Sequence, residues 1–197
     1  MLKVARFGIF RLSRRFSTQA LVLKANELPG TGWKLRAERI WRTGTRDIDE
    51  DTKTMQRARE VRSMTCWRSF EKKDPVMGLW LQVTPLASRS DADLAVPRDR
   101  PQFISNPKSE VQVESESSNK ELVIDGLDNV FAYQKITRGA FGAGYSRYAC
   151  GNVENFVVLA GCSKRGEDWD WSEIATIVSL QARKIRESFN RDGKPEE

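Results

Sequence analysis

The sequence predicts an α+β fold: one domain in which a mainly antiparallel sheet of about eight strands packs against a long C-terminal helix and a shorter middle helix. Three observations carry this. Short apolar or alternating runs follow one another without helical patterns between them, which argues against βαβ units and for hairpins. Phe156-Val157-Val158-Leu159-Ala160 is continuously apolar between turn-prone Gly151-Asn152 and Gly161, as in a strand covered on both faces. Beyond it, Ile174, Ile177, Val178, Gln181, Ile185 and Phe189 recur mostly at three- and four-residue spacings, while Arg183, Lys184, Arg186 and Glu187 fall elsewhere. That is a helix with one dry stripe, and it needs an apolar surface to lie on.

Residues 1–18 read as a basic, flexible leader before a domain over 19–190 and a flexible tail over 191–197. Lys3, Arg6, Arg11, Arg14, Arg15 and Lys24 lie within the first 26 residues, which hold no acid, and they account for the whole net charge of +6. The body from Glu27 onward is therefore neutral, which argues against a nucleic-acid-binding surface on the folded part. The leader has the Arg-rich, acid-free composition of a mitochondrial transit peptide; as a plain basic segment, residues 1–16 instead offer weak contact with anionic membrane. The cytoplasm is the expected compartment, and the mitochondrion if residues 1–18 are a transit peptide.

In the body, Ala20-Leu21-Val22-Leu23 reads as a short strand and Ala25 to Leu28 as one helical turn stopped by Pro29. Trp33, Leu35, Ala37 and Trp41 alternate with charged residues, the pattern of a half-buried strand with those four on one face. Strands follow at 64–70 and 79–83, an antiparallel pair with a tryptophan on each. Ser88 caps a short helix with Asp91 and Asp93 in its first turns. Val111 and Val113 mark an edge strand, Leu122-Val123-Ile124 a brief one, and 130–136 and 145–150 two more. Gly139 to Gly144 has the spacing GxxGxG with strands on both sides. A tight hairpin fits it, and a dinucleotide fingerprint, GxGxxG between strand and helix, does not.

No histidine is present, which removes Ser-His-Asp and Cys-His catalysis and imidazole-based zinc sites. Cys66, Cys150 and Cys162 are an odd set without close pairing, expected to be reduced and buried. Cys66 beside Arg68 reads as a packed strand cysteine more readily than as a nucleophile. Asp168, Asp170 and Glu173 match helix capping and no calcium loop, so no metal site and no cofactor are expected. The aromatic residues are the most suggestive feature. Trp33, Trp67, Trp80 and Tyr145 are expected to line a pocket for a small ligand or a protein partner, with Arg68 and Arg147 as anchors for an anionic group.

The runs Leu28-Pro29-Gly30-Thr31-Gly32-Trp33, Trp41-Arg42-Thr43-Gly44, Trp67-Arg68-Ser69-Phe70 and Trp80-Leu81-Gln82-Val83-Thr84-Pro85, continued by Ala87-Ser88-Arg89-Ser90-Asp91-Ala92, resemble uncharacterised actinobacterial proteins. The order of strands, a closing Val-rich strand, a cysteine and a final helix is similar to LpqN-type lipoproteins and ligand-sensing ectodomains. That likeness implies a PsbP-like sandwich of antiparallel sheet and helices. The function expected is a non-enzymatic binding or accessory module acting through a sheet face or an aromatic-lined groove. The alternatives are an enzyme using carboxylates or Cys66 without histidine, and a membrane- or nucleic-acid-associated protein working through the basic leader.

Overall fold

The structure, a computed structural model, describes residues 17–43, 63–73, 75–96, 112–139, 142–165 and 170–192. Residues 1–16 of the leader and Asp168 lie outside them. In chain order the elements are α1 (Thr18–Leu21), a 3-10 turn (Ala25–Glu27), β1 (Lys34–Arg42), β2 (Met64–Lys73), β3 (Val76–Pro85), α2 (Arg89–Ala95), β4 (Gln112–Ser118), β5 (Asp128–Gly139), β6 (Gly142–Val153), β7 (Phe156–Arg165) and α3 (Trp171–Asp192). The fold is α+β. One sheet of seven strands has the order β1-β2-β3-β7-β6-β5-β4, and every neighbouring pair is antiparallel. Two meanders, β1–β3 and β4–β7, are joined where β3 pairs with β7.

The α3 helix forms where the 3.6-residue apolar stripe requires it, with Asp170 Oδ1 accepting from the Ser172 amide at its start. Ile174, Ile177, Val178, Gln181, Ala182 and Ile185 are all buried against one sheet face. Cys66, Phe70, Leu79, Leu81, Val83, Val158, Ala160 and Cys162 face them. Each large aliphatic side chain buried this way contributes about 1.5–3 kcal/mol before entropy is counted. Phe189 closes the far end, edge-on to Phe156 with ring centroids 5.6 Å apart. On the opposite face α2 covers only one end. There Leu86, Ala92, Val96, Cys150, Val157 and Leu159 form a second, smaller core. The α2 cap is as its sequence dictates: the Ser88 hydroxyl oxygen accepts from the Asp91 amide at 3.1 Å.

Three expectations are corrected. Ala20 to Leu23 is not a strand: α1 takes in Ala20 and Leu21, and the chain then runs extended. The carbonyls and amides of this stretch are captured by side chains in place of a strand partner. Gln181, fully buried, accepts from Leu23 N–H at 2.9 Å and donates to Leu21 C=O at 2.7 Å. Leu122 to Ile124 is coil, with Val123 85% exposed and only Ile124 buried. Seven strands are therefore present among the described residues, not eight. In β1 a bulge between Leu35 and Ala37 puts Leu35 opposite Phe70 and Ala37 opposite Ser69, hence on opposite faces, and Leu35 is left exposed. The GxxGxG stretch is the expected tight hairpin: Gly139 pairs with Gly142, which adopts φ +95°.

Candidate functional site

The strand registers decide which sequence-predicted residues meet. Glu38, Arg68, Leu81, Ala160 and Arg147 share the parity of the α3 face; Trp67, Trp80, Gly161, Tyr148 and Tyr133 share the other. Trp33, Arg68, Tyr145 and Arg147 thus lie on the α3 side, whereas Trp67 and Trp80 lie across the thickness of the sheet. The six do not form one pocket.

On the α3 side the two arginines are structural. Arg68, only 7% exposed, donates from Nε to Glu38 Oε1 at 2.6 Å, from Nη1 to the carbonyls of Val22 (2.6 Å) and Leu23 (3.1 Å), and from Nη2 to that of Gln19 (3.0 Å). The guanidinium's hydrogen bond holds the Glu38 carboxyl below its usual value of 4.5 despite the opposing effect of desolvation. Lys184 adds a further bond to Val22 C=O and an ion pair to Glu27 at 2.6 Å. Arg68, Gln181 and Lys184 together clamp residues 19–23 onto the sheet and α3. Arg147 donates from Nε to Gln134 Oε1 at 2.8 Å and stacks 4.9 Å over the Trp171 ring. Trp33 donates its indole N–H to Pro29 C=O at 2.9 Å and packs against the main core. These groups organise the fold, and an anionic ligand would have to displace backbone carbonyls to reach Arg68.

Cys66, Cys150 and Cys162 are free and buried. Burial pushes the Cys66 thiol up to about 11, against the lowering pull of Arg68, and raises Cys150 and Cys162 to about 12 each. A nucleophilic cysteine needs the reverse shift and access. Cys66 has neither, so the environment argues against a thiolate enzyme. Among the described residues, no three acids or cysteines gather as a metal would require.

The opposite face carries a row that runs straight across the sheet. Trp80 pairs with Gly161, Gly161 with Tyr148, Tyr148 with Tyr133, and Tyr133 with Ser118. Gly161 is the reason the row closes up. A Cβ at that position would lie 2.4 Å from Cε2 and Nε1 of Trp80, so the indole fills the space a side chain would take. The Trp80 and Tyr148 ring centroids are 6.1 Å apart at 50°, and those of Tyr148 and Tyr133 are 6.4 Å apart at 43°. Both are tilted contacts within the favourable range for aromatic pairs. Trp67 stands diagonal to Trp80, beside Gln82, with the Arg39 guanidinium 5.8 Å from its ring. Trp67, Trp80 and Tyr148 are half-buried, so each presents ring surface. Burial holds the Tyr148 phenol above its ordinary 10, partly offset by a hydrogen bond with Ser146, and the hydroxyl is neutral at physiological pH. Two of these residues, Trp67 and Trp80, were expected at a site. Tyr148 and Gly161 were not, because their proximity depends on the β3–β7 pairing between distant parts of the chain.

At the β4–β5 end of the same region a cavity of about 360 Å³ opens, lined by Asp93 and Val96 of the α2 region, residues 118–120 and residues 129–132. Asp93 Oδ1 accepts from Asn152 Nδ2 at 2.8 Å and from Asn129 Nδ2 at 2.9 Å, and Asn129 Nδ2 also reaches Asn152 Oδ1 at 2.9 Å. Asn152 is fully buried. Asn129 has φ +51°, a left-handed conformation that asparagine tolerates better than most residues, beside the bulge in β5. Arg89 pairs with Asp128 at 2.8 Å and ties α2 to the same strand.

No protein-family model matches the chain, and no curated protein matches it. Among solved structures, it is similar to an uncharacterised protein of Mycobacterium smegmatis: 9% identity and a TM-score of 0.46 over 80% of this chain and 90% of that one. A likeness at that level carries no inference about function. No helix among the described residues is long and apolar enough to cross a membrane.

Proposed function

We propose that this protein is a non-enzymatic binding or accessory module whose ligand sits on the sheet face opposite α3, over Trp67, Trp80 and Tyr148. The observation that carries this reading is that Trp67, Trp80 and Tyr148, in and beside the row built on Gly161, are half-buried, while Tyr133 farther along the row is covered. On the α3 face Phe70 is wholly covered, whereas these three rings keep surface open to solvent on the other face. Rings held by neighbours yet leaving surface open suit a ring-bearing or flat apolar ligand, at about 0.5–1.5 kcal/mol per aromatic contact beyond burial. Raised thiol pKa values and the absence of histidine weigh against catalysis. A PsbP-like sandwich with a ligand-sensing role, as the resemblance implies, belongs to the same proposal.

The test is side-chain-resolved NMR with two planar probes, indole and 2-naphthol. The expected result is concerted shifts of the Trp67, Trp80 and Tyr148 ring signals, lost in Trp80→Ala while the backbone spectrum stays folded. Absence of shifts, or shifts centred on Trp33 and Trp171 across the sheet, refutes the assignment of this face.

A further inference from the structure

We infer that the cavity between α2 and the β4–β5 end of the sheet is a second site, built for a small zwitterion that carries an apolar body. The inference stands apart from the role of the aromatic row. Its basis is the way charge and apolar surface are arranged around one opening. Asp93 is the anionic end. Two amide donors, from Asn129 and the fully buried Asn152, converge on a single carboxylate oxygen, Oδ1. They fix the direction of the group, and its other oxygen makes no hydrogen bond among the described residues. Lys120 is the cationic end. It is exposed on the lining, and no carboxylate pairs with it among the described residues. Between them Val96, Val130, Phe131 and Ala132 supply the apolar part of the lining, beside the polar Ser118 and Asn119. A volume of about 360 Å³ falls within the range of small-ligand sites, and a few polar groups around an apolar floor is the usual make-up of one.

The chemistry selects the ligand. An ammonium group suits the oriented Asp93 oxygen, a carboxylate suits the Lys120 amine, and a hydrocarbon body suits the floor. A ligand with only one charge leaves its partner residue unused. Charge-assisted hydrogen bonds contribute enough that dropping one costs about tenfold in affinity.

The experiment is calorimetric titration of the full chain with L-phenylalanine and with 6-aminohexanoate, which differ in charge separation, against 2-phenylethylamine and 3-phenylpropionate, which carry one charge each. The expected result is that at least one zwitterion binds about tenfold more tightly than both singly charged compounds. Asp93→Asn, which keeps the size and leaves an oxygen for the two asparagine amides, is expected to remove about tenfold from the zwitterion and the amine but nothing from the acid. Lys120→Gln is expected to do the converse. Because Lys120 is exposed, its variant decides the matter even if Asp93→Asn fails to fold. Equal binding of zwitterions and singly charged compounds, no binding of any up to about 10 mM, or zwitterion affinity unchanged in Lys120→Gln overturns the inference.

Discussion

If Gly161 exists to make room for the Trp80 indole, then Gly161→Ala is harmful only while that indole is present. The added methyl would lie 2.4–2.6 Å from three indole atoms, against ordinary contacts of 3.4 Å or more. The ring must therefore move by about 1 Å, away from Gly161 and into Tyr148 or off the second core. Overpacking of this kind costs about 1–3 kcal/mol. With Trp80→Ala in place the clash is gone, and what remains is the ordinary effect of replacing glycine within a strand, a gain of roughly 0.5–1 kcal/mol. The two backgrounds should thus differ by about 1.5–4 kcal/mol, well outside the additivity seen for independent sites. Urea unfolding of the wild type, both single variants and the double variant measures this, provided the denaturant slopes agree. Tryptophan emission read alongside reports whether the indole has moved. A Gly161→Ala penalty of the same size in both backgrounds would refute the role given to Gly161, and with it the reason the aromatic row is continuous.

Two further outcomes are expected. Gln181→Leu keeps the volume but leaves Leu23 N–H and Leu21 C=O without their partners; at about 1–3 kcal/mol per stranded buried group, less the gain from added apolar surface, a net loss of about 2 kcal/mol is expected. Equilibrium unfolding checks it, and a variant as stable as the wild type removes Gln181 from its clamping role. The three thiols titrate higher in the folded chain than the usual 9, so folding favours the neutral form: stability is unaffected below pH 9 and falls as pH rises toward 11–12. Iodoacetamide at pH 8 should accordingly label none of them in the folded protein and all three in urea, and rapid native labelling of Cys66 would revive a nucleophilic role.

What the sequence made legible follows from how far apart the interacting residues lie. α3 was readable because its stripe is local: Ile174 to Phe189 encode both the helix and its buried face. The β5–β6 hairpin was readable because the glycines of 139–144 mark its turn. Gly151-Asn152 and Gly161, which suggested the limits of the next strand, instead lie within β6 and β7, and the chain turns at Glu154-Asn155. Ala20 to Leu23 misled because its local apolarity suits a strand, while its hydrogen bonds go to Arg68, Gln181 and Lys184, up to 162 residues away. The bulge at Arg36 carries no glycine to announce it, so the alternation of β1 was followed through a point where it breaks. The same distinction holds at the candidate sites. Trp67 and Trp80 stood out by residue type. Their separation from Arg68, Tyr145 and Arg147 was a matter of register, and a one-residue shift sends a side chain to the other face. The Asp93–Asn129–Asn152 cluster was invisible because it joins three elements, each asparagine having an ordinary turn explanation by itself.

The union of β3 with β7 also bears on the route by which the chain reaches this form. During synthesis, the ribbons β1–β3 and β4–β6 emerge in turn with no strand to bridge them, and their apolar faces wait for α3, which comes last of all. A nascent chain halted between Val153 and Phe156 would hold two separate antiparallel pieces with open edges, a state prone to mispairing. Joining the two meanders thus requires β7, and covering their shared apolar face requires α3, so both steps depend on residues 156–192.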